Sequence, residues 1–249
     1  MTTAVITAPV KVRPSLPGRR YDHAFFTGMS LLLAGSVALG FAKTYYLAGV
    51  FHAPLPSAVL HVHGALFTAW ILFLLAQSTL VAAGRVDIHR RIGIGGFLLA
   101  CAMVVVGVWA GTNALGRNFH PPGVDAKTFY IVPITDMMIF SVLVFSAWRA
   151  RFNAAAHKRL IIIATVALMI AAVARWPFAI VLHKVLAASF VTYGFLLMMV
   201  LYDLWSTHRV HRATLWASVF LICIQLVRFP IAQGAAWQTF AAWAQHFRL

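Results

Sequence analysis

Glutamate is absent from this sequence, and only five aspartates stand in for it: Asp22, Asp87, Asp125, Asp136 and Asp203. That excludes a helical bundle that builds a di-iron centre from glutamates. Charge of any sign is scarce, at 10% of residues, while 62% are hydrophobic. A soluble domain is roughly 25% charged, so too little polar surface exists here to cover a water-soluble globule. The two cysteines, Cys101 and Cys223, form no CxxC, which leaves a sulfur-ligated zinc or dithiol centre without support. Walker A, GxSxG and HExxH are all missing, and with them the case for an ATPase, a serine hydrolase or a zincin. The histidine boxes of membrane desaturases are missing too. Residues 213–233 hold no lysine, so a retinal protein is excluded.

What the chain has is length in apolar runs. Seven stretches approach the 20 residues that a bilayer core requires: 24–47, 58–83, 92–115, 128–149, 159–177, 186–206 and 213–233. The expected fold class is all-α, a polytopic transmembrane bundle of about seven spans. Residues 1–23 read as a flexible cytoplasmic arm with no cleaved signal peptide. Residues 24–234 read as the transmembrane domain. Residues 235–249 place Trp237, Phe240, Trp243 and Phe247 at helical spacing, the pattern of an amphipathic helix on the interface.

Basic residues set the orientation. With the amino end inside, thirteen of the twenty lysines and arginines fall on the cytoplasmic side, so the positive-inside rule puts the carboxyl end outside. The net charge of +15 reads as a topology signal and a contact for anionic lipid rather than for nucleic acid. The third, fifth and seventh spans each follow a basic, histidine-bearing tip, and His157 and His211 precede Arg175-Trp176-Pro177 and Arg228-Phe229-Pro230 at nearly equal separations. This echo is consistent with a repeated hairpin.

Eleven histidines are many for so apolar a chain. His61 and His63 open the second span, next to Gly64. Imidazole is the common nitrogen ligand of iron, copper and zinc, so His61 and His63 are candidate haem or metal ligands; adjacent-but-one residues point about 200° apart on a helix, so one could ligate while the other packs. His89 and His157 both enter from the cytoplasmic side and form a second candidate pair, with basic loop tips as the plain alternative. Asp136, Arg175 and Arg228 lie inside spans, where charges are costly and face the bundle interior. They are candidates for a salt bridge, or for a pocket in which the arginines grip an anion such as a haem propionate and Asp136 relays protons.

Three motifs carry a resemblance: Leu60-His61-Val62-His63-Gly64, Gly84-Arg85-Val86-Asp87-Ile88-His89-Arg90-Arg91-Ile92-Gly93 and His157-Lys158-Arg159-Leu160. Over about residues 55–180 the chain resembles a family of uncharacterised bacterial multipass membrane proteins. Its histidine layout is loosely similar to membrane proteins that assist haem-copper oxidase assembly and, more distantly, to cytochrome b561. The latter resemblance implies one b-type haem at His89 and His157. It departs at the fourth span, which carries Asp136 in place of a histidine, so a second haem is not implied. The expectation is a bacterial inner-membrane protein that binds haem or a redox metal, with His61 and His63 as the first-choice ligands and His89 and His157 as the second, for electron transfer or respiratory oxidase assembly, with respiratory-chain proteins or a second copy as partners. The alternatives are a cofactor-free carrier of a small amphipathic or anionic molecule, or a scaffold subunit of a membrane complex. No catalytic residue is named.

Overall fold

The computed structural model describes residues 21–54 and 56–247. Most of the expected amino-terminal arm, residues 1–20, lies outside the described residues, while Asp22 and His23 already belong to the first helix. In chain order the helices are α1 (Asp22–Phe41, continued by a π-helical turn Ala42–Tyr46), α2 (Ala58–Ala82), α3 (Val86–Gly116), α4 (Ala126–Arg149), α5 (Ala154–Val166), α6 (Ile170–Val173), α7 (Val185–Thr207), α8 (Arg212–Gln233) and α9 (Ala235–Ala244). Long apolar runs fold this way because a helix satisfies its own backbone polar groups where no water can.

Six of these elements are long and apolar enough to cross a membrane: α1 with its π-helical turn, α2, α3, α4, α7 and α8. Their outward faces carry Leu72, Leu98, Val105, Leu186, Phe190 and Leu226, each more than half exposed. Such a surface suits lipid and not water.

The fifth expected span is not one helix. After Val166 the chain tightens: the N–H groups of Leu168 and Met169 bond to the carbonyls of Thr165 and Val166, the i to i−3 pattern of a 3₁₀ turn. The short α6 then resumes. Among the described residues this segment is deeply enclosed, with Ile163 through Ala167 and Val173 fully buried. A broken helix is tolerated at membrane depth where protein surrounds it. Here α1, α4, α7 and α8 pack around α5, and α1 packs on α6. Trp70 of α2 donates its indole N–H to the Thr165 hydroxyl at 3.1 Å.

Small residues set the closest approaches. Gly111 of α3 accommodates the ring of Pro133 in α4; a Cβ there would lie 2.9 Å from Pro133 Cβ and Cγ. Gly40 of α1 abuts the Ala172 carbonyl of α6 so closely that any Cβ would collide with it. Three helix starts are capped by side chains: Asp125 accepts the Thr128 N–H at 3.0 Å, Asn153 the Ala156 N–H at 3.2 Å and His211 the Ala213 N–H at 3.1 Å. Such caps satisfy donors that a helix leaves free at its start. Asp125 has its carboxyl held below the usual carboxylate range, first by the Thr128 side chain and then by the Thr128 N–H.

The tail residues 235–244 form α9, which docks on the ends of α4 and α8. Trp237 donates to the Lys127 carbonyl at 2.9 Å, and Ala241 and Ala244 are buried. Trp243 and Phe247 remain on the exposed face.

Candidate functional site

Two ends of the bundle carry the polar residues. The starts of α1, α3, α5 and α8 meet the ends of α2, α4 and α7 at one end, rich in arginine and lysine. The α1, α5 and α7 relationship there is fixed by Asp22, which takes Lys158 Nζ at 2.6 Å and the Tyr202 hydroxyl at 2.6 Å.

His89 and His157 come together at this basic end. Their ring centroids are 6.3 Å apart with planes at 81°. His157 Nδ1 lies 2.9 Å from the Ala147 carbonyl. A carbonyl only accepts, so Nδ1 is the donor; in the neutral ring this leaves the lone pair on Nε2, the arrangement common for metal-binding histidines. His89 Nδ1 is buried with no hydrogen-bond partner among the described residues. Gln77 steadies the backbone here, donating to the His89 carbonyl at 3.3 Å. The two histidines stand on α3 and α5, which pack on α4 and hardly touch one another directly.

His61 and His63 do not form such a pair. His61 is exposed beside Tyr45, 5.8 Å between ring centroids. His63 turns inward and stacks on Phe67 at 4.0 Å, and its Nδ1 is buried without a partner among the described residues. The space over Gly64 is taken by the Tyr45 ring; a Cβ would come within 2.7 Å of it. A protein side chain, not a ligand, occupies the place that glycine leaves open.

Asp136, Arg175 and Arg228 separate into two groups. Asp136 of α4 accepts from Arg228 Nη1 of α8 at 2.9 Å, with the Arg228 side chain only 2% exposed. Arg175 is not part of that pair: it donates to the Ala171 carbonyl at 2.6 Å and lies over the Phe41 ring at 5.0 Å. Arg228 Nε and both amide atoms of Gln225, one turn earlier, are buried without partners among the described residues. Arg175 follows His157 by 18 residues through α5 and α6, a distance of roughly 25 Å at helical rise. The arginines and the His89–His157 pair therefore belong to opposite ends and cannot hold one ligand.

Sequence reasoning counted Arg159 with the basic residues of a cytoplasmic connection and gave no role to Asp203, which falls inside the expected sixth span, 186–206. The structure makes them the most enclosed ion pair, with side chains 4% and 0% exposed. Arg159 donates through Nε at 2.9 Å and through Nη2 to Asp203 Oδ1. Asp203 Oδ2 takes the His211 N–H and the Thr214 hydroxyl. Asp203 sits in an apolar run, Val200 to Trp205, and that isolation was the available signal.

Among the described residues no group of three or more histidine, cysteine, aspartate or glutamate side chains could hold a metal ion. A bare zinc ion takes three or four protein ligands. A haem iron brings its equatorial nitrogens and asks the protein for one or two. His89 and His157 are too few for a site of the first kind and equal in number to what the second asks. No protein-family model, curated protein or solved structure matches the chain, so the reading of the site rests on its own geometry.

Proposed function

We propose that this chain is a multipass membrane protein that holds one b-type haem between His89 and His157 and serves electron transfer or the assembly of a respiratory oxidase. The observation that supports this reading is the 6.3 Å separation of the two rings. At that distance the two imidazoles would be the residues to hold one iron between them. Haem would supply a one-electron iron couple, with His89 and His157 as the residues that would hold it. The chain's own part is to fix the rings. Ala147 orients His157, Gln77 holds the His89 backbone, and the neighbouring Arg90 is free of any ion pair among the described residues and available to an acidic group.

In this reading α5 and α6 together make a seventh, broken crossing. The amino end and the haem lie on the cytoplasmic side of a bacterial inner membrane and the carboxyl end lies outside, following the charge asymmetry. A carrier of an anionic molecule at Asp136 and Arg228 has less support, because those two charges already neutralise one another.

The test is the visible spectrum of the detergent-purified full chain, as isolated and after dithionite. A Soret band with sharp reduced α and β bands is expected. It should vanish in His89→Ala and in His157→Ala and persist in His61→Ala/His63→Ala. A protein that stays colourless after haem supplementation overturns the proposal, as does a spectrum that depends on His61 and His63 instead.

A further inference from the structure

Arg209 and Arg212, like several other exposed cations, have no ion pair among the described residues; what sets them apart is that they share the lining of one open cavity. The five acids of the chain are all committed elsewhere. Asp22 pairs with Lys158, Asp87 with Arg85, Asp136 with Arg228 and Asp203 with Arg159, and Asp125 caps α4. Both arginines are exposed and line an open cavity of about 590 Å³ at the basic end, together with Asn153, Thr207 and His211. No acid lines it.

A second cavity of about 730 Å³ shares Arg212 with the first. Its remaining walls are apolar: Leu215, Trp216, Val219 and Phe220. Trp216 and Phe220 stack at 5.7 Å with planes only 5° apart and make a flat wall along α8. The nine residues from Arg212 to Phe220 span about 12 Å along the helix axis. The two open cavities meet at Arg212, with a cationic, hydrogen-bonding lining on one side and a shallow apolar face on the other.

We propose that this composite cavity is a binding site for an anionic phospholipid. The phosphodiester would lie between Arg209 and Arg212, where arginine forks match phosphate oxygens. Asn153 and the Thr207 hydroxyl would take the headgroup hydroxyls, and an acyl chain would lie along Trp216 and Phe220. Three features select this occupant: the uncompensated positive charge, the polar lining at the helix ends where a headgroup sits, and the apolar face running from it into the span. Basic pockets at helix ends on a membrane surface recognise acidic headgroups in this way. The inference is independent of the haem reading, because no residue is shared with His89 or His157.

The full chain, reconstituted with equal amounts of phosphatidylglycerol and phosphatidylcholine and re-extracted in mild detergent, is examined by native mass spectrometry. Wild type should retain phosphatidylglycerol several-fold over phosphatidylcholine. Arg209→Gln/Arg212→Gln should abolish that preference. Arg91→Gln/Arg149→Gln removes the same charge from the same end and should keep it. Trp216→Ala/Phe220→Ala should weaken retention of the long-chain lipid with both arginines in place, and soluble glycerophosphate should not bind. Equal retention of the two lipids by wild type overturns the proposal. So does an undiminished preference in the Arg209/Arg212 variant, and so does a dimer mass in place of bound lipid, which would assign the apolar face to a second copy of the chain.

Discussion

Arg159 at the start of α5 and Asp203 near the end of α7 form an ion pair that solvent does not reach, and the Asp203 carboxylate is completed by the Thr214 hydroxyl and the His211 N–H of the α8 entry. One carboxylate thereby ties three helices together. Asp22, with Lys158 and Tyr202, brings in α1 beside them. The broken central segment is thus pinned at the end where it begins, before the irregular turn at Ala167.

Removing one partner of such a pair leaves the other charged, buried and alone, which costs about 3–5 kcal/mol. Asp203→Leu and Arg159→Met should each lower stability by about that amount. The double variant Asp203→Leu/Arg159→Met should lose far less than the sum, because no bare charge remains. Urea or thermal unfolding of the four proteins in one detergent closes the cycle. Strictly additive losses would show that the pair does not act as a unit.

Gly40 offers a test of backbone approach rather than charge. A Cβ there meets the carbonyl of Ala172, a backbone atom that cannot rotate aside. Gly35, in the same helix, has nothing near the same position. Gly→Ala in a helix otherwise stabilises by up to about 1 kcal/mol through propensity. Gly35→Ala should therefore be neutral or stabilising, while Gly40→Ala should lower the melting midpoint by several degrees. The same sign for both would remove the close packing of α1 on α6.

Much of the bundle was legible because hydropathy reports its solvent directly: α2, α4, α7 and α8 fall within a few residues of the runs read at 58–83, 128–149, 186–206 and 213–233. The break in the fifth run was not legible. No glycine or proline marks Ala167-Leu168-Met169, and the surroundings that shelter the irregular turn come from four other helices. Among polar residues, Asp136 and Arg228 stood out as charges inside apolar runs and prove to be partners. Arg159 did not, since its place in His157-Lys158-Arg159 makes it look like one more loop-end cation. The sharpest motif, His61-Val62-His63-Gly64, is answered locally by Tyr45 and Phe67; spacing along one helix carries no information about what its neighbour places opposite.

His211 links acidity to the same network. Its Nδ1 accepts the Ala213 N–H, which a protonated ring cannot do. Burial, with the nearby Arg159 adding to it, holds the imidazole below its ordinary value of 6.5. The folded state thus binds this proton less well than the unfolded one. The contribution of His211 is fully present above about pH 6.5 and is lost as pH falls through the lower, folded value. His211→Asn keeps an N-cap acceptor without a titrating group. Its melting midpoint should fall less than that of wild type between pH 7.5 and pH 5, and parallel losses would show that the cap is not what titrates.

At the far end of α8, Gln225 is 6% exposed with neither amide atom bonded among the described residues, one turn from the paired Arg228. An unsatisfied buried amide costs about 1–3 kcal/mol, and replacing it by an apolar group of similar volume removes that cost. Gln225→Leu should therefore raise the melting midpoint or leave it unchanged. Arg228→Met should lower it, because Asp136 then stays buried without its partner, and Arg228→Met/Asp136→Leu should recover most of the loss. The three midpoints separate two kinds of polar group in one helix. A fall in Gln225→Leu as large as that in Arg228→Met would mean that the amide holds something the fold depends on, and internal water bridging it to Arg228 Nε would then be sought by exchange with deuterium.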